Sequence, residues 1–200
     1  MSGDSFSADW LALREPADRA ARAAHGAHGA HAAHGAPEAC SPLPASLAGL
    51  RPRAGAHALH IIDLGCGTGA TLRWLAPGLV GPQHWLAVDH DDTLLHACAA
   101  AAAGLAAQGQ AGLTLVSRRL DLAAALETLP LAEADLVCAS AFIDLVSEAW
   151  LRRLVAQVTR PPSRATCLLS LAVDGRIDWA PALDGDALVT AQFAQHQMRD

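Results

Sequence analysis

The chain has 200 residues, 52% of them hydrophobic, which suits one domain with a core and is too short for two. Its 14 basic residues are all arginines, scattered among 20 acidic residues, and the net charge of −6 argues against binding to a nucleic-acid backbone. No apolar run approaches the roughly 20 residues needed to cross a bilayer. Five cysteines without a C-x-x-C pair, and a start without a secretory leader, predict a reduced, cytoplasmic protein.

The first segment, residues 1–24, is predicted to be a helical arm. Pro16 is expected to open a second helix after a short first one, because proline is tolerated in a first helical turn and not in an interior. The apolar side chains of Trp10, Leu11 and Leu13 suit packing of this arm over the open end of a sheet.

Residues 25–57 are rich in His, Gly, Ala and Pro and are predicted to be a low-complexity insertion or linker. Within it a histidine recurs at every third position, from His25 to His34. On a helix this spacing would turn the first and last histidines to opposite sides, and the intervening glycines oppose a helix. Structural zinc prefers four ligands on a fixed scaffold, usually including cysteine. We therefore predict no metal site here.

The folded domain is predicted to occupy residues 58–200, where short apolar runs alternate with helical stretches. Strands that alternate with helices in this way predict an α/β fold, a doubly wound and mainly parallel sheet with helices on both faces. The predicted strands cover 58–63, 84–89, 113–117, 134–140 and 165–173, and the predicted helices cover 70–76, 92–107, 121–127, 147–158 and 185–197.

The first predicted strand ends in DLGCGTGA, residues 63–70. Glycines at every second position let the backbone turn tightly and approach a ligand at the start of the next helix. The second strand ends in Asp89, about twenty residues after the glycines, and an acidic residue at this place can accept hydrogen bonds from ribose hydroxyls. Gly65, Gly67 and Ala70 also fit a dinucleotide fingerprint. Asp63, however, would repel a pyrophosphate and attract an ammonium group, which favours a cofactor containing an amino acid.

The stretch IIDLGCGTG, residues 61–69, resembles motif I of class I S-adenosylmethionine-dependent methyltransferases. The resemblance extends over residues 58–173 and, more loosely, over WLALREPADRAAR near the start of the chain. It implies a Rossmann-like methyltransferase fold, S-adenosylmethionine as methyl donor, and methyl transfer to a small-molecule acceptor. An NAD(P)-dependent oxidoreductase and a non-catalytic cofactor-binding or interaction protein are the alternatives.

The resemblance also assigns roles to residues. Asp63 and the Gly65–Gly69 loop would line the methionine part of the cofactor, Arg14 would bind its carboxylate, Asp89 would bind both ribose hydroxyls, and Ser140 would lie near the reactive methyl. The complete predicted cofactor set is Arg14, Asp63, Gly65, Cys66, Gly67, Thr68, Gly69, Asp89, His90, Asp121, Leu122 and Ser140, with His90 beside the adenine and Asp121 at its amino group. Each of three residues also has a purely structural interpretation. Asp121 suits a helix cap, and Arg14 suits a surface ion pair with Glu15 or Asp18. Cys66 suits a small residue in a tight loop, with nothing beside it in sequence to make it a nucleophile.

Candidates for the chemistry and for acceptor binding follow the fourth and fifth strands. The chain has no lysine and no tyrosine, so a general base must be His, Asp, Glu or Cys, and Asp144 is the best placed by sequence. It equally suits a favourable charge near a helix N-terminus. Asp174, Arg176 and Trp179 are expected at the acceptor site, although a solvated turn explains this segment equally well.

One feature departs from the family pattern, because two antiparallel strands usually follow the fifth strand and only one helical stretch follows it here. Either this is a truncated or degenerate member, or a partner covers the open edge of the sheet, for example in a homodimer.

Overall fold

The computed structural model describes residues 6–26, 47, 49–161, 163, 165–171, 177 and 179–197, and the side chains of all of these except 21–26, 196 and 197. Strands and α-helices alternate along the described chain. They are α1 (Ala8–Gly26), β1 (Leu59–Leu64), α2 (Ala70–Leu75), β2 (Gln83–Asp89), α3 (Asp92–Ala107), β3 (Leu113–Arg119), α4 (Leu122–Ala125), β4 (Leu136–Ser140), α5 (Glu148–Val158), β5 (Thr166–Ser170) and α6 (Asp186–Gln197).

The five strands form one parallel sheet in the order β3-β2-β1-β4-β5, which confirms the predicted fold class. Alternate side chains of β1 face opposite ways: Leu59 and Ile61 pack in a core with α2 and α3, whereas Ile62 and Leu64 pack in a second core with α4 and α5. Strand order reverses between β1 and β4. In doubly wound sheets, ligands bind at the carboxyl ends of the strands at such a point.

The element boundaries differ from the predictions mainly at the helix after β3 and at the fifth strand. The predicted helix 121–127 is a single α-helical turn, α4, continued by a 3-10 turn at Leu126–Thr128. The fifth strand is shorter than predicted and ends at Ser170. Among the described residues no strand pairs with the outer edge of β5.

The prediction that Pro16 separates two helices is wrong, because α1 is one helix with Pro16 in its interior. Proline cannot donate a backbone hydrogen bond to the carbonyl of Ala12. Both residues are exposed, so water can satisfy that carbonyl. Ser7 caps the helix, since its Oγ accepts a hydrogen bond from the backbone N of Trp10 at 3.1 Å.

Part of the predicted linker packs onto the domain. Leu47 is buried in the core that α2 and α3 form with the sheet. Arg53 donates to the carbonyl of Ala134 at 2.6 Å and pairs with Asp135 at 3.4 Å. The folded unit therefore includes residues that composition assigned to the linker. The histidine run from 27 onward lies outside the described residues.

None of the helices in the described part of the chain combines the length and the apolar character that crossing a membrane requires.

Candidate functional site

A cavity of about 810 Å³ lies at the carboxyl ends of β1, β2, β3 and β4, with α1 along one side. Most of the predicted cofactor residues line this one cavity, although they come from five separate segments. Those that line it are Arg14, Gly65, Cys66, Gly67, Thr68, Asp89, His90, Asp121, Leu122 and Ser140. The N-terminal arm was expected over the open end of the sheet, and α1 contributes Arg14 to this cavity.

The loop after β1 has a backbone that favours glycine. Gly65, Gly67 and Gly69 have φ angles of 67°, 53° and 86°, in the left-handed region that side chains with a Cβ rarely adopt. Space is also limited, since a Cβ at Gly67 would lie 3.4 Å from Cδ1 of Leu11 in α1. Gly69 does not line the cavity; it precedes α2 and packs against Cys98. The loop can therefore approach a ligand closely.

Asp89 holds this loop in place. Its Oδ2 accepts a hydrogen bond from the backbone N of Gly67 at 3.0 Å, and its Oδ1 accepts one from the N of Asp91 at 3.1 Å. His90 Nδ1 lies 3.2 Å from the same Oδ1. The carboxylate is buried yet lines the cavity. Each of its oxygens can accept more than one hydrogen bond, so ligand hydroxyls can bind to a carboxylate that is already oriented.

Asp63 lies at the end of β1, beside Ala87 of β2 and Cys138 of β4 in the sheet register. It is fully buried and neither of its carboxyl oxygens has a hydrogen-bond partner among the described residues. Burial, and secondarily the charge of Asp89, raise the pKa of Asp63 to about 8. Asp63 is not among the residues that line the cavity. A buried carboxyl without a partner is costly, and a cationic group nearby would stabilise its charged form.

The other end of the cavity lies at β3 and α4. Asp121 caps α4, since its Oδ1 accepts from the N of Ala123 at 2.9 Å, and the residue also lines the cavity. Arg119, which sequence reasoning missed, lines the cavity too. It donates to the carbonyl of His90 at 3.1 Å and to Asp92 at 2.9 Å. Its position as the last residue of β3, at the carboxyl end of the strand, was the available signal.

Beyond β4 the wall of the cavity is uncharged. Ser140 ends the strand, and Ala141 follows it with a φ of 51°, an uncommon angle for a residue other than glycine. Phe142, Leu145 and Val146 then line the cavity. None of these apolar residues was predicted, because an isolated apolar residue in a loop gives no periodic signal.

Helix α1 is joined to the glycine loop through Glu15 and Arg73. Arg73 donates to both carboxylate oxygens of Glu15, at 3.0 and 2.5 Å, and to the carbonyl of Thr68 at 2.7 Å. Burial opposes the ionisation of Glu15, but hydrogen bonding and the charge of Arg73 outweigh it and lower the pKa of Glu15. The prediction that Leu13 packs over the sheet is wrong. It is 81% exposed, because it lies about 200° around the helix from Leu11.

Arg14 faces the cavity but is not free of partners. Its Nε donates to Asp18 at 3.1 Å, one of the two ion pairs considered for it, and its guanidinium lies 5.4 Å from the ring centroid of Trp10. Cys66 is an inert loop residue in this structure, since a hydrogen bond with Cys98 and burial raise the pKa of its thiol.

The predicted catalytic and acceptor residues lie apart from this cavity or outside the described chain. Asp144 is exposed, in a 3-10 turn, and does not line the cavity. The indole N–H of Trp179 donates to Thr190 Oγ1 of α6 at 3.1 Å, and Trp179 does not line the cavity either. Asp174 and Arg176 lie outside the described residues.

A family model described as a methyltransferase domain matches residues 61–161, half of the chain. The chain belongs to the methyltransferase domain family. The resemblance of residues 61–69 to class I methyltransferases is thereby confirmed, with S-adenosylmethionine as the cofactor of this enzyme family.

Among solved structures, this methyltransferase domain is similar to a protein of Methanococcus maripaludis described as a candidate S-adenosylmethionine-dependent methyltransferase, with 13% identity over 84% of this chain and 67% of that one and a TM-score of 0.48. It is also similar to an S-adenosylmethionine-dependent methyltransferase of Aquifex aeolicus, with 15% identity over 61% of this chain and 59% of that one and a TM-score of 0.42. An arsenic(III) S-adenosylmethionine methyltransferase of Chlamydomonas reinhardtii is 22% identical over 50% of this chain, with a TM-score of 0.39. The match covers 33% of that protein, so this chain spans only a third of its length. No curated protein matches the chain.

The residues of this methyltransferase domain fit S-adenosylmethionine. Gly65 and Gly67 line the cavity with backbone alone, so a ligand can contact the backbone there. The positions that a Cβ would take are next to Phe142 and Leu11, which line the same cavity. Asp89 offers carboxylate oxygens to ribose hydroxyls. The buried carboxyl of Asp63, which has no partner, has the chemistry that an amino group requires.

Proposed function

We propose that this methyltransferase domain transfers the methyl group of S-adenosylmethionine to a small-molecule acceptor bound in the cavity. The single observation that carries the proposal is that the glycine loop, Asp89, Asp121 and Ser140 line one cavity. The size of the cavity supports a small acceptor, because about 810 Å³ falls in the range of small-molecule sites. The arginines that line it, Arg14 and Arg119, are paired with carboxylates rather than grouped as a phosphate-binding patch.

The proposed cofactor position runs from α4 to α1. Asp121 and Leu122 are proposed to contact the adenine, with His90 beside it, and Asp89 the ribose hydroxyls. The loop from Gly65 to Gly69 is proposed to contact the methionine part, whose amino group would be stabilised by Asp63 and whose carboxylate would pair with Arg14. A guanidinium can hold a carboxylate by two hydrogen bonds, which supports the last assignment.

When bound, S-adenosylmethionine supplies a methyl group activated by its sulfonium charge: a lone pair of the acceptor forms the new bond to carbon while the carbon–sulfur bond breaks and its electron pair stays on sulfur. The protein then has mainly to hold the acceptor in line with that bond and exclude water. Phe6 and Trp10, whose rings stack at 4.9 Å, and Leu145 and Val146 form an apolar wall suited to that task. Asp144, the base predicted from the sequence, is exposed and does not line this cavity, so the structure does not support it as the base for an acceptor that carries a proton.

Calorimetry tests the cofactor part of the proposal. Micromolar binding of S-adenosylmethionine or S-adenosylhomocysteine, without comparable binding of NAD(H) or NADP(H), is expected. Asp89→Ala should weaken binding by about 1 to 3 kcal/mol, because the ribose hydroxyls lose a charged acceptor. Glu148→Ala, which removes an exposed carboxylate on α5 away from the cavity, is the control and should bind normally. A preference for a nicotinamide cofactor would overturn the proposal.

Screening a panel of small metabolites for production of S-adenosylhomocysteine tests turnover. Production with at least one acceptor is expected, whereas tight cofactor binding without turnover on any acceptor would favour a non-catalytic cofactor-binding protein. Three further points stay predictions. They are binding of the acceptor by Asp174, Arg176 and Trp179, a cytoplasmic location, and a homodimer formed through the open edge of β5.

A further inference from the structure

The ring of Phe142 lies where the loops after β1 and β4 meet. A Cβ at Gly65 would lie 2.6 Å from Cδ2 of this ring and 3.0 Å from its Cγ, so the ring packs directly against the glycine backbone. Phe142 follows Ser140 by two residues and lines the same cavity. The ring therefore lies between the position proposed for the methionine part of the cofactor and the position proposed for its methyl group.

The surrounding structure fixes the orientation of this ring. It packs edge-on against Trp150, with ring centroids 5.5 Å apart and an angle of 70° between the planes. Trp150 is itself anchored, because its indole N–H donates to the carbonyl of Leu122 at 2.7 Å. The left-handed backbone of Ala141 sets the direction in which the chain leaves β4. Phe142 is thus a preoriented aromatic group rather than a loose loop side chain.

Among the residues that line the cavity in this region, none carries a carboxylate, and the carboxyl group of Asp63 is buried and does not line the cavity. Asp89 and Asp121 lie at the part proposed for ribose and adenine, and on α1 the carboxylates of Glu15 and Asp18 are paired with arginines. The residues that line the cavity after β4 are all uncharged. A cation placed here finds an aromatic ring as its electrostatic partner, and rings attract cations through their quadrupole.

The geometry points to Phe142 as the residue that binds the sulfonium of S-adenosylmethionine through a cation–π contact above Gly65. This inference rests on the proposed function. It predicts that the domain distinguishes the charged methyl donor from the neutral product, S-adenosylhomocysteine, through this ring. The ring also shields the sulfonium from water on the side of Gly65.

Calorimetry on Phe142→Leu tests this contact, because the two ligands differ only in the methyl group and the sulfonium charge. Phe142→Leu should raise the Kd for S-adenosylmethionine about fivefold to thirtyfold more than the Kd for S-adenosylhomocysteine. Phe142→Tyr, which keeps the ring, should leave the ratio of the two constants near the wild-type value. Phe193→Leu makes the same change at an exposed position of α6 away from the cavity and should change neither constant.

The outcomes separate this inference from the proposed function. If wild-type protein binds both ligands and Phe142→Leu weakens both by the same factor, the ring only packs and the inference is overturned. If wild-type protein binds neither ligand, the proposed function itself fails and the inference falls with it. Phe142→Met, an unbranched apolar replacement, provides the same comparison should thermal melting find Phe142→Leu unfolded.

Discussion

At the scale of one residue, the buried carboxyl group of Asp63 makes the stability of the folded chain depend on pH. Its pKa is about 8 in the folded chain, against 3.8 for an ordinary aspartate. Between these values the folded chain keeps the proton while the unfolded chain loses it. The folded state then binds more protons, so stability falls as pH rises through this window, by at most about 1.4 kcal/mol per pH unit.

Asp63→Asn should remove much of this pH dependence, because asparagine stays neutral and has nearly the same shape. We expect the wild-type melting temperature without cofactor to fall more between pH 6 and pH 8.5 than that of Asp63→Asn. Parallel pH profiles of the two proteins in calorimetry would show that Asp63 does not titrate in this window.

Arg14 allows a test of cofactor binding on α1. Arg14→Ala should weaken binding of S-adenosylmethionine at least tenfold, about 1.4 kcal/mol, because the cofactor carboxylate loses its guanidinium partner. The melting temperature without cofactor should not change, since the pair with Asp18 is a surface pair.

Arg152→Ala is the matched control for Arg14→Ala. It also removes an arginine from an i, i+4 pair, with Glu148 on α5, but away from the cavity. Equal affinity in Arg14→Ala and Arg152→Ala would leave Arg14 with only its pair to Asp18.

At the scale of elements, the contact between Glu15 and Arg73 joins α1 to α2 beside the glycine loop. Both side chains are partly buried, and the contact joins residues 58 positions apart in sequence. Glu15→Gln weakens this contact while it keeps the size of the side chain. We expect faster amide hydrogen exchange in α1 and a loss of stability of about 1 kcal/mol or less.

Glu148→Gln provides the comparison for Glu15→Gln, since it removes an exposed ion pair within α5. Exchange in α1 should be unchanged in Glu148→Gln. Were α1 to exchange equally slowly in Glu15→Gln and in wild type, apolar contacts such as that of Leu11 with Gly67 would hold the helix instead.

At the scale of the whole molecule, deletion of residues 25–36 tests the low-complexity prediction. Shortening a connection without periodic apolar residues changes its closure entropy only slightly. Cofactor affinity and melting temperature should therefore stay nearly unchanged. The deletion stops before Leu47, the first residue beyond the histidine run that packs in the core of the described chain. Loss of cofactor binding, or stoichiometric zinc in untagged protein that chelation cannot remove without unfolding, would contradict the prediction.

The sequence by itself determined the fold class and the central part of the cofactor site. Apolar runs and glycines are local signals that can be found in the sequence alone. In a parallel sheet the carboxyl ends of the strands lie at the same edge, so the glycine loop after β1 and Asp89 at the end of β2 come close together. The three central strands, β1, β2 and β4, are mostly buried, which their apolar composition reports directly. The edge strands β3 and β5 are only partly buried, and short apolar runs were enough to predict them. Asp121 was correctly expected to suit a helix cap for the same local reason.

Only the tertiary structure decided which side chains complete the cavity. Phe142 and Arg119 belong to it, and Leu13 and Trp179 do not, because contacts between residues far apart in sequence leave no period in either segment. The continuity of α1 through Pro16 was likewise not a local signal, because proline favours a break; Ala12 and Pro16 are exposed, so water can satisfy the carbonyl that the proline leaves without a donor. Burial without a partner, which raises the pKa of Asp63, depends on the apolar neighbours that β2 and β4 bring beside it, and no stretch of sequence contains all three strands.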